Sequence, residues 1–181
     1  MARITFDGLH TDKATNQLMV VDYEHHETHS GSGYFAVYSN TADDTDTVEV
    51  RIGTPDTTTW AHMVISINSA LAATAELFKP TTKTHVAGNA ITPMNRNHNS
   101  SNTSGLTICH TPAGTESGSA ALTQYIGASS VSGRVETGGG TGSRGEFILE
   151  QNQSYLIRVT SRADSNSMSI ILDWYEHANK N

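Results

Sequence analysis

Four neighbours early in the chain, His25, His26, Glu27 and His29, form the densest group of side chains able to do chemistry. Three imidazoles and a carboxylate are donor types that a zinc ion takes, provided the backbone brings them together. On a helix, i,i+3 and i,i+4 neighbours share a face. On a strand, His25 and His29 stand ~13 Å apart on one face with His26 on the other. The stretch from Tyr23 to Gly31 is too short for a helix that is stable by itself, and His26 to His29 lacks the i,i+4 spacing of a zincin helix. These residues are therefore expected at a strand end or an interface, with no metal.

Other chemistry is weaker still. Gly140-Thr141-Gly142-Ser143-Arg144-Gly145 matches the glycine pattern of dinucleotide-binding loops, but that pattern works only between a strand and a helix, and a β-type run follows it here. A phosphate loop of the Walker type fails because Glu146 stands where lysine is required. No G-x-S-x-G elbow is present, so no hydrolase nucleophile stands out among the many serines and threonines. Asp43-Asp44, Glu146 and Glu150 read as solvated surface charge rather than as an acid–base pair. Trp60 and Trp174 read as core residues rather than sugar platforms. No catalytic residue and no cofactor is expected, and the protein is not read as an enzyme.

The elements that must position these groups are strands. Threonine (24), serine (19) and asparagine (12) make up much of the 181 residues, and all three favour strands and turns over helices. With 36% apolar residues, the chain has enough for one core in one domain, residues 1–181. A net charge of −7 and no basic cluster argue against nucleic acid as a partner. The single cysteine, Cys109, cannot form an internal disulfide. No charged-then-apolar leader and no apolar run of 18 residues is visible, so a soluble, unsecreted chain with no membrane partner is expected.

Period-2 alternation predicts about ten strands. These include 3–6 and 17–24 in an N-terminal segment that reads either as strands or, over residues 1–20, as an arm contacting neighbouring subunits. Further strands are predicted at 34–39, 47–52, 60–68 as the middle of the core, 73–79, 106–110 and 122–126. The two most regular runs end the chain. Tyr155, Ile157 and Val159 share one face of a strand within Glu146 to Ser161, Met168, Ile170, Leu172 and Trp174 share one face of the next, and the polar turn 162–167 between them predicts a hairpin. A lone hairpin cannot bury those faces, so a second sheet must cover them. Asn89, Asn95, Asn97, Asn99 and Asn102 mark a loop from Gly88 to Gly105, far longer than the usual ~4 to 6 residues. The expected fold is an all-β antiparallel sandwich, jelly-roll-like, with long polar loops.

Four stretches taken in order carry a resemblance: Glu24-His25-His26-Glu27-Thr28-His29-Ser30-Gly31; Thr54-Pro55-Asp56-Thr57-Thr58 leading to Trp60-Ala61-His62-Met63; Asn95-Arg96-Asn97-His98-Asn99-Ser100-Ser101-Asn102-Thr103-Ser104; and Asp173-Trp174-Tyr175-Glu176-His177. Together, over roughly Asp22 to His177, they resemble the head decoration (capsid cement) proteins of tailed bacteriophages. The resemblance implies a virion structural protein, made in the host bacterial cytoplasm. Such proteins bind major capsid protein on the outer capsid surface and associate with themselves, often as a homotrimer. It brings no catalytic residues. An acidic subunit outside a DNA-filled shell also avoids mis-assembly on the genome.

On this reading His25, His26, His29, Trp174, Glu176 and His177 are the candidate subunit or capsid interface. The alternative is an adhesin module of a head fibre or tail that holds a host glycan with Trp, Tyr and Asn side chains of the long loop.

Overall fold

The computed structural model describes residues 23–127, 135–137 and 145–178. Among these, helix α1 (Tyr23–Ser30) precedes eleven strands: β1 (Gly33–Ala42), β2 (Thr47–Gly53), β3 (Thr59–Ser69), β4 (Ala73–Phe78), β5 (Met94–Asn95), β6 (Thr107–His110), β7 (Leu122–Ile126), β8 (Val135–Thr137), β9 (Glu146–Leu149), β10 (Ser154–Ser161) and β11 (Asn166–Ala178). The N-terminal arm over residues 1–20, the expected strand 3–6, residues 17–22 of the expected strand 17–24, and the glycine pattern from Gly140 to Arg144 lie outside the described residues; Tyr23 and Glu24, the last two residues of that strand, open helix α1 instead. Gly145 leads into strand β9 rather than a helix.

The pairing is nested. β1 pairs with β11, β2 with β10, β3 with β9 and β4 with β7, all antiparallel, so the chain is one long hairpin folded back on itself. Rolling that hairpin brings β11 beside β3 and β10 beside β4. Two sheets result, β5-β1-β11-β3 with β8 and β9 both on β3, and β6-β2-β10-β4-β7. This is the jelly roll, two Greek keys wrapped into a sandwich, and the all-β antiparallel sandwich of about ten strands is as expected.

The expected terminal hairpin does not form. Glu146–Leu149 is a separate strand, and β10 and β11 lie in opposite sheets. The reason is burial: Tyr155, Ile157 and Val159 point into the same core as Met168, Ile170, Leu172 and Trp174, so the two strands cover each other's apolar faces across the sandwich. Each is flanked by strands on both sides, which leaves neither with an open backbone edge. The buried Asn166 secures the crossing: its Oδ1 accepts hydrogen bonds from Leu71 N at 2.8 Å and Ser69 Oγ at 3.1 Å, and its Nδ2 donates to Ala72 O at 3.1 Å.

The outer face of the second sheet is also covered. Leu156, Phe78 and Cys109 are buried there, apart from the main core. The segment after β4 crosses this face and is clasped by Glu49, a buried carboxylate that pairs with Lys83 Nζ at 2.5 Å and Arg158 Nε at 2.8 Å. The Arg158 guanidinium lies 4.9 Å from the Phe78 ring centre, and Arg51 Nε donates to Lys83 O at 3.0 Å.

Tyr23–Ser30 is helical, against the expectation that the stretch is too short. Its C-terminus explains why. Gly31, at φ +80°, ends a Schellman motif in which Gly31 N donates to Thr28 O at 3.1 Å and Ser32 N to Glu27 O at 2.9 Å. The long loop adds side-chain donors at this end: Asn97 Nδ2 donates to His29 O at 2.9 Å, and Asn95 Nδ2 to Gly31 O, just past the helix, at 2.8 Å. Glu27 is buried as the helix packs on β1 and β11.

Candidate functional site

Strand alternation sends Asp173, Tyr175 and His177 of β11 to the outer face of the first sheet, opposite the side that buries Trp174 and Leu172. The register sets Tyr175 beside His62 and Asp173 beside Val64 on β3, and then Val64 beside Glu146 on β9. Helix α1 adds Glu24 and Thr28, and a cavity of about 250 Å³ forms between helix and sheet.

Polar contacts knit this floor together. Glu146 Oε1 meets His62 Nδ1 in a very short contact and accepts a hydrogen bond from the Tyr175 hydroxyl at 2.9 Å. The same hydroxyl lies 3.2 Å from His62 Nδ1, and the rings of His62 and Tyr175 stack with centres 4.9 Å apart. His177 Nε2 stands 2.8 Å from His62 Nε2. Arg96 pairs with Asp173 on the cavity wall. His62 and Glu146 have side chains only 13% and 17% exposed, so their pairing is shielded from water.

The six residues expected at an interface divide. His25, His26 and His29 are exposed on α1, and the helix brings the rings of His25 and His29 to 4.4 Å instead of holding them apart as a strand would. His26 Nδ1 contacts Glu27 at 3.4 Å. His177 is half-buried against His62. Trp174 belongs to the protomer's own core at 2% exposure, with its ring centre 5.9 Å from that of Tyr34, so it is not a surface contact. Glu176 accepts hydrogen bonds from Trp174 Nε1 at 2.9 Å, Gly105 N at 3.0 Å and the Ser104 hydroxyl, and so fastens the long loop to β11. Burial, helped by the Glu176 carboxylate, raises the Tyr34 phenol above its ordinary pKa.

His62, Tyr175 and Glu146 escaped the sequence reading. Glu146 is a half-buried partner here rather than solvated charge. The one available signal was the alternation of Asp173, Tyr175 and His177, which marks a polar face on a strand whose other face is core; nothing local names β3 and β9 as its neighbours. The long-loop asparagines are likewise engaged. Asn95, Asn97 and Asn102 donate their amides to backbone carbonyls around the end of α1.

A second surface feature lies where the sheets part at β7 and β9. Leu122 and Phe147, exposed by 52% and 37%, face the gap, while Tyr125 and Ile148, exposed by 78% and 56%, alternate to the outer faces of the second and the first sheet. Between the two strands runs a groove of about 370 Å³ whose walls include Ile65, Leu77 and Ile157. Among the described residues no group of three or more His, Cys, Asp or Glu side chains converges as a metal cage, and no helix is long and apolar enough to cross a membrane. Fold and surface together define an all-β jelly-roll protein with a roofed polar cluster on one face and a groove, lined in part by apolar side chains, at one edge. Compared with protein families, characterised proteins and solved structures, the chain has no match.

Proposed function

We propose that the protein is a capsid decoration protein of a tailed bacteriophage, a structural subunit that binds major capsid protein on the outside of the head and stabilises the shell. The observation that carries this reading beyond the sequence resemblance is the open groove between β7 and β9, into which Leu122 and Phe147 stand exposed. Large apolar side chains lining an open groove gain by being covered by another protein surface. A contact built on them and their polar rim suits ~1,600 Å² of buried surface, or smaller contacts summed through a homotrimer. The acidic charge keeps such a subunit off the packaged genome.

The test compares heads with and without the protein for breakage on heating and on osmotic shock, alongside a map of the intact particle. Bare heads should break at lower temperature, and density for the protein should repeat over the capsid lattice. Bare heads as robust as complete ones would remove the cementing role. A handful of copies at one vertex would instead favour the adhesin.

A further inference from the structure

Arg51 on β2 is a half-buried cation that pairs with no acid among the described residues. Its direct neighbours across the second sheet are Leu156 on β10 and Cys109 on β6, both buried and apolar, so neither adjoining strand supplies a counter-charge. Glu49, two residues earlier on the same face of β2, is spent on Lys83 and Arg158. Arg51 Nε donates to Lys83 O at 3.0 Å, which fixes the guanidinium and leaves the rest of its fork of N–H donors to be satisfied. Gly53 makes room for that fork: a Cβ there would lie 3.1 Å from Arg51 Nη1 and 2.6 Å from Thr107 Oγ1.

The guanidinium lines a cleft of about 390 Å³ between the ends of β2 and β6 and the start of β10, together with Thr54, Thr107, Asn152, Gln153 and Ser154. The volume is that of a small-ligand site, but these walls are polar where such sites are mostly apolar. The three hydroxyls give their protons to backbone carbonyls, Thr54 to Glu150 O at 2.7 Å, Thr107 to Gly53 O and Ser154 to Thr81 O at 3.3 Å. Toward the cleft they offer lone pairs. The side-chain amides of Asn152 and Gln153 make no hydrogen bond within the described residues and can both donate and accept. The carboxylate on the Gly105 side, Glu176, is engaged by Trp174 Nε1, Ser104 and Gly105 N.

We propose that this cleft binds an acidic sugar of the uronic acid class. Arg51 takes the carboxylate in a forked pair, and the hydroxyl oxygens of Thr54, Thr107 and Ser154 accept from hydroxyls of the sugar ring. A bare carboxylate would leave those acceptors unmet, and a neutral sugar would leave the cation unpaired. A ligand that carries both groups answers the whole set. An acidic peptide has the carboxylate without the ring of hydroxyls, and is the competing occupant.

The site is independent of the decoration reading, which rests on the groove between β7 and β9. The full chain, labelled for amide NMR, is titrated separately with digalacturonate, the neutral galactose disaccharide, acetate and a blocked Gly-Glu-Gly peptide. Digalacturonate should shift the amides of Gly53, Thr107 and Gln153, with a Kd on the order of 1 mM, as suits a ligand this small. The other three should each bind at least about ten-fold more weakly. Arg51→Gln should bring the acidic sugar down to the level of the neutral one. Thr107→Val should weaken the acidic sugar by about three-fold or more and leave acetate unchanged. Should Arg51→Gln lose its native circular dichroism, Gln153→Ala on its half-exposed side chain takes its place, with a loss of about three-fold or more expected. No shift at these amides, equal affinity for the acidic and the neutral sugar, or a peptide that binds as tightly as digalacturonate would overturn the proposal.

Discussion

Glu176 accepts a hydrogen bond from the indole nitrogen of Trp174 at 2.9 Å, two residues apart on the same face of β11. The carboxylate ends the core where the indole fills it, and it ties Ser104 and Gly105 of the long loop to the same point. Trp174→Ala is expected to cost about 3–5 kcal/mol through the cavity left in the sandwich. His25→Ala, on the exposed face of α1, should stay within about 0.5 kcal/mol. Urea unfolding of both variants measures the difference, and equal effects would contradict the placement of Trp174 in the protomer's own core.

Glu49 holds Lys83 and Arg158 at once, with its own side chain 7% exposed. Removing one member of such a cluster strands the others. Glu49→Ala should therefore destabilise by about 3 kcal/mol or more, the larger part from two uncompensated cations. A Lys83→Met variant, measured alone and with Glu49→Ala, should show strong non-additivity in a double-mutant cycle.

Gly31 stands at φ +80°, and a Cβ there would lie 2.2 Å from Ser100 Oγ. Gly31→Ala should lose about 1–2 kcal/mol from the left-handed backbone and the clash together. Adding Ser100→Gly should restore the part due to the clash and leave the part due to φ. Thermal melts of the single and double variants separate the two. No recovery at all would mean the contact with Ser100 is not the obstacle.

Glu116 anchors the segment after β4. Burial tends to raise its pKa, but hydrogen bonds from Thr81, from Gly118 N and from both the hydroxyl and N–H of Thr82 outweigh it and hold the carboxyl below its ordinary 4.5. A depressed carboxyl stabilises the fold above its unfolded pKa, and that contribution is lost as pH falls through the folded value. The wild-type chain should thus lose stability below about pH 4.5. Glu116→Gln should flatten that part of the profile while costing about 1 kcal/mol at pH 7. Unfolding midpoints between pH 3 and 7 give the answer, and parallel profiles would remove Glu116 from the acid response.

The amino-acid sequence alone determined the sandwich, because period-2 alternation is local: each of Val48, Val50 and Ile52, or Met168, Ile170 and Leu172, declares its buried side within a few residues. Strand limits at β7 and β4 follow from that pattern and from the turn residues between runs. What alternation cannot say is which strand lies next to which. The partners of β10 and β11, β1 to β4, all lie far away in the first half of the chain, so a polar turn between two amphipathic runs looks the same whether it closes a hairpin or carries the chain across a core. Helix α1 was hidden for a related reason: its end carbonyls are met by asparagines some seventy residues away, and local propensity has no term for them. The cluster of His62, Glu146, Tyr175 and His177 draws on three strands, and only the tertiary register, which sets β11 beside β3 and β3 beside β9, brings those four side chains onto one face.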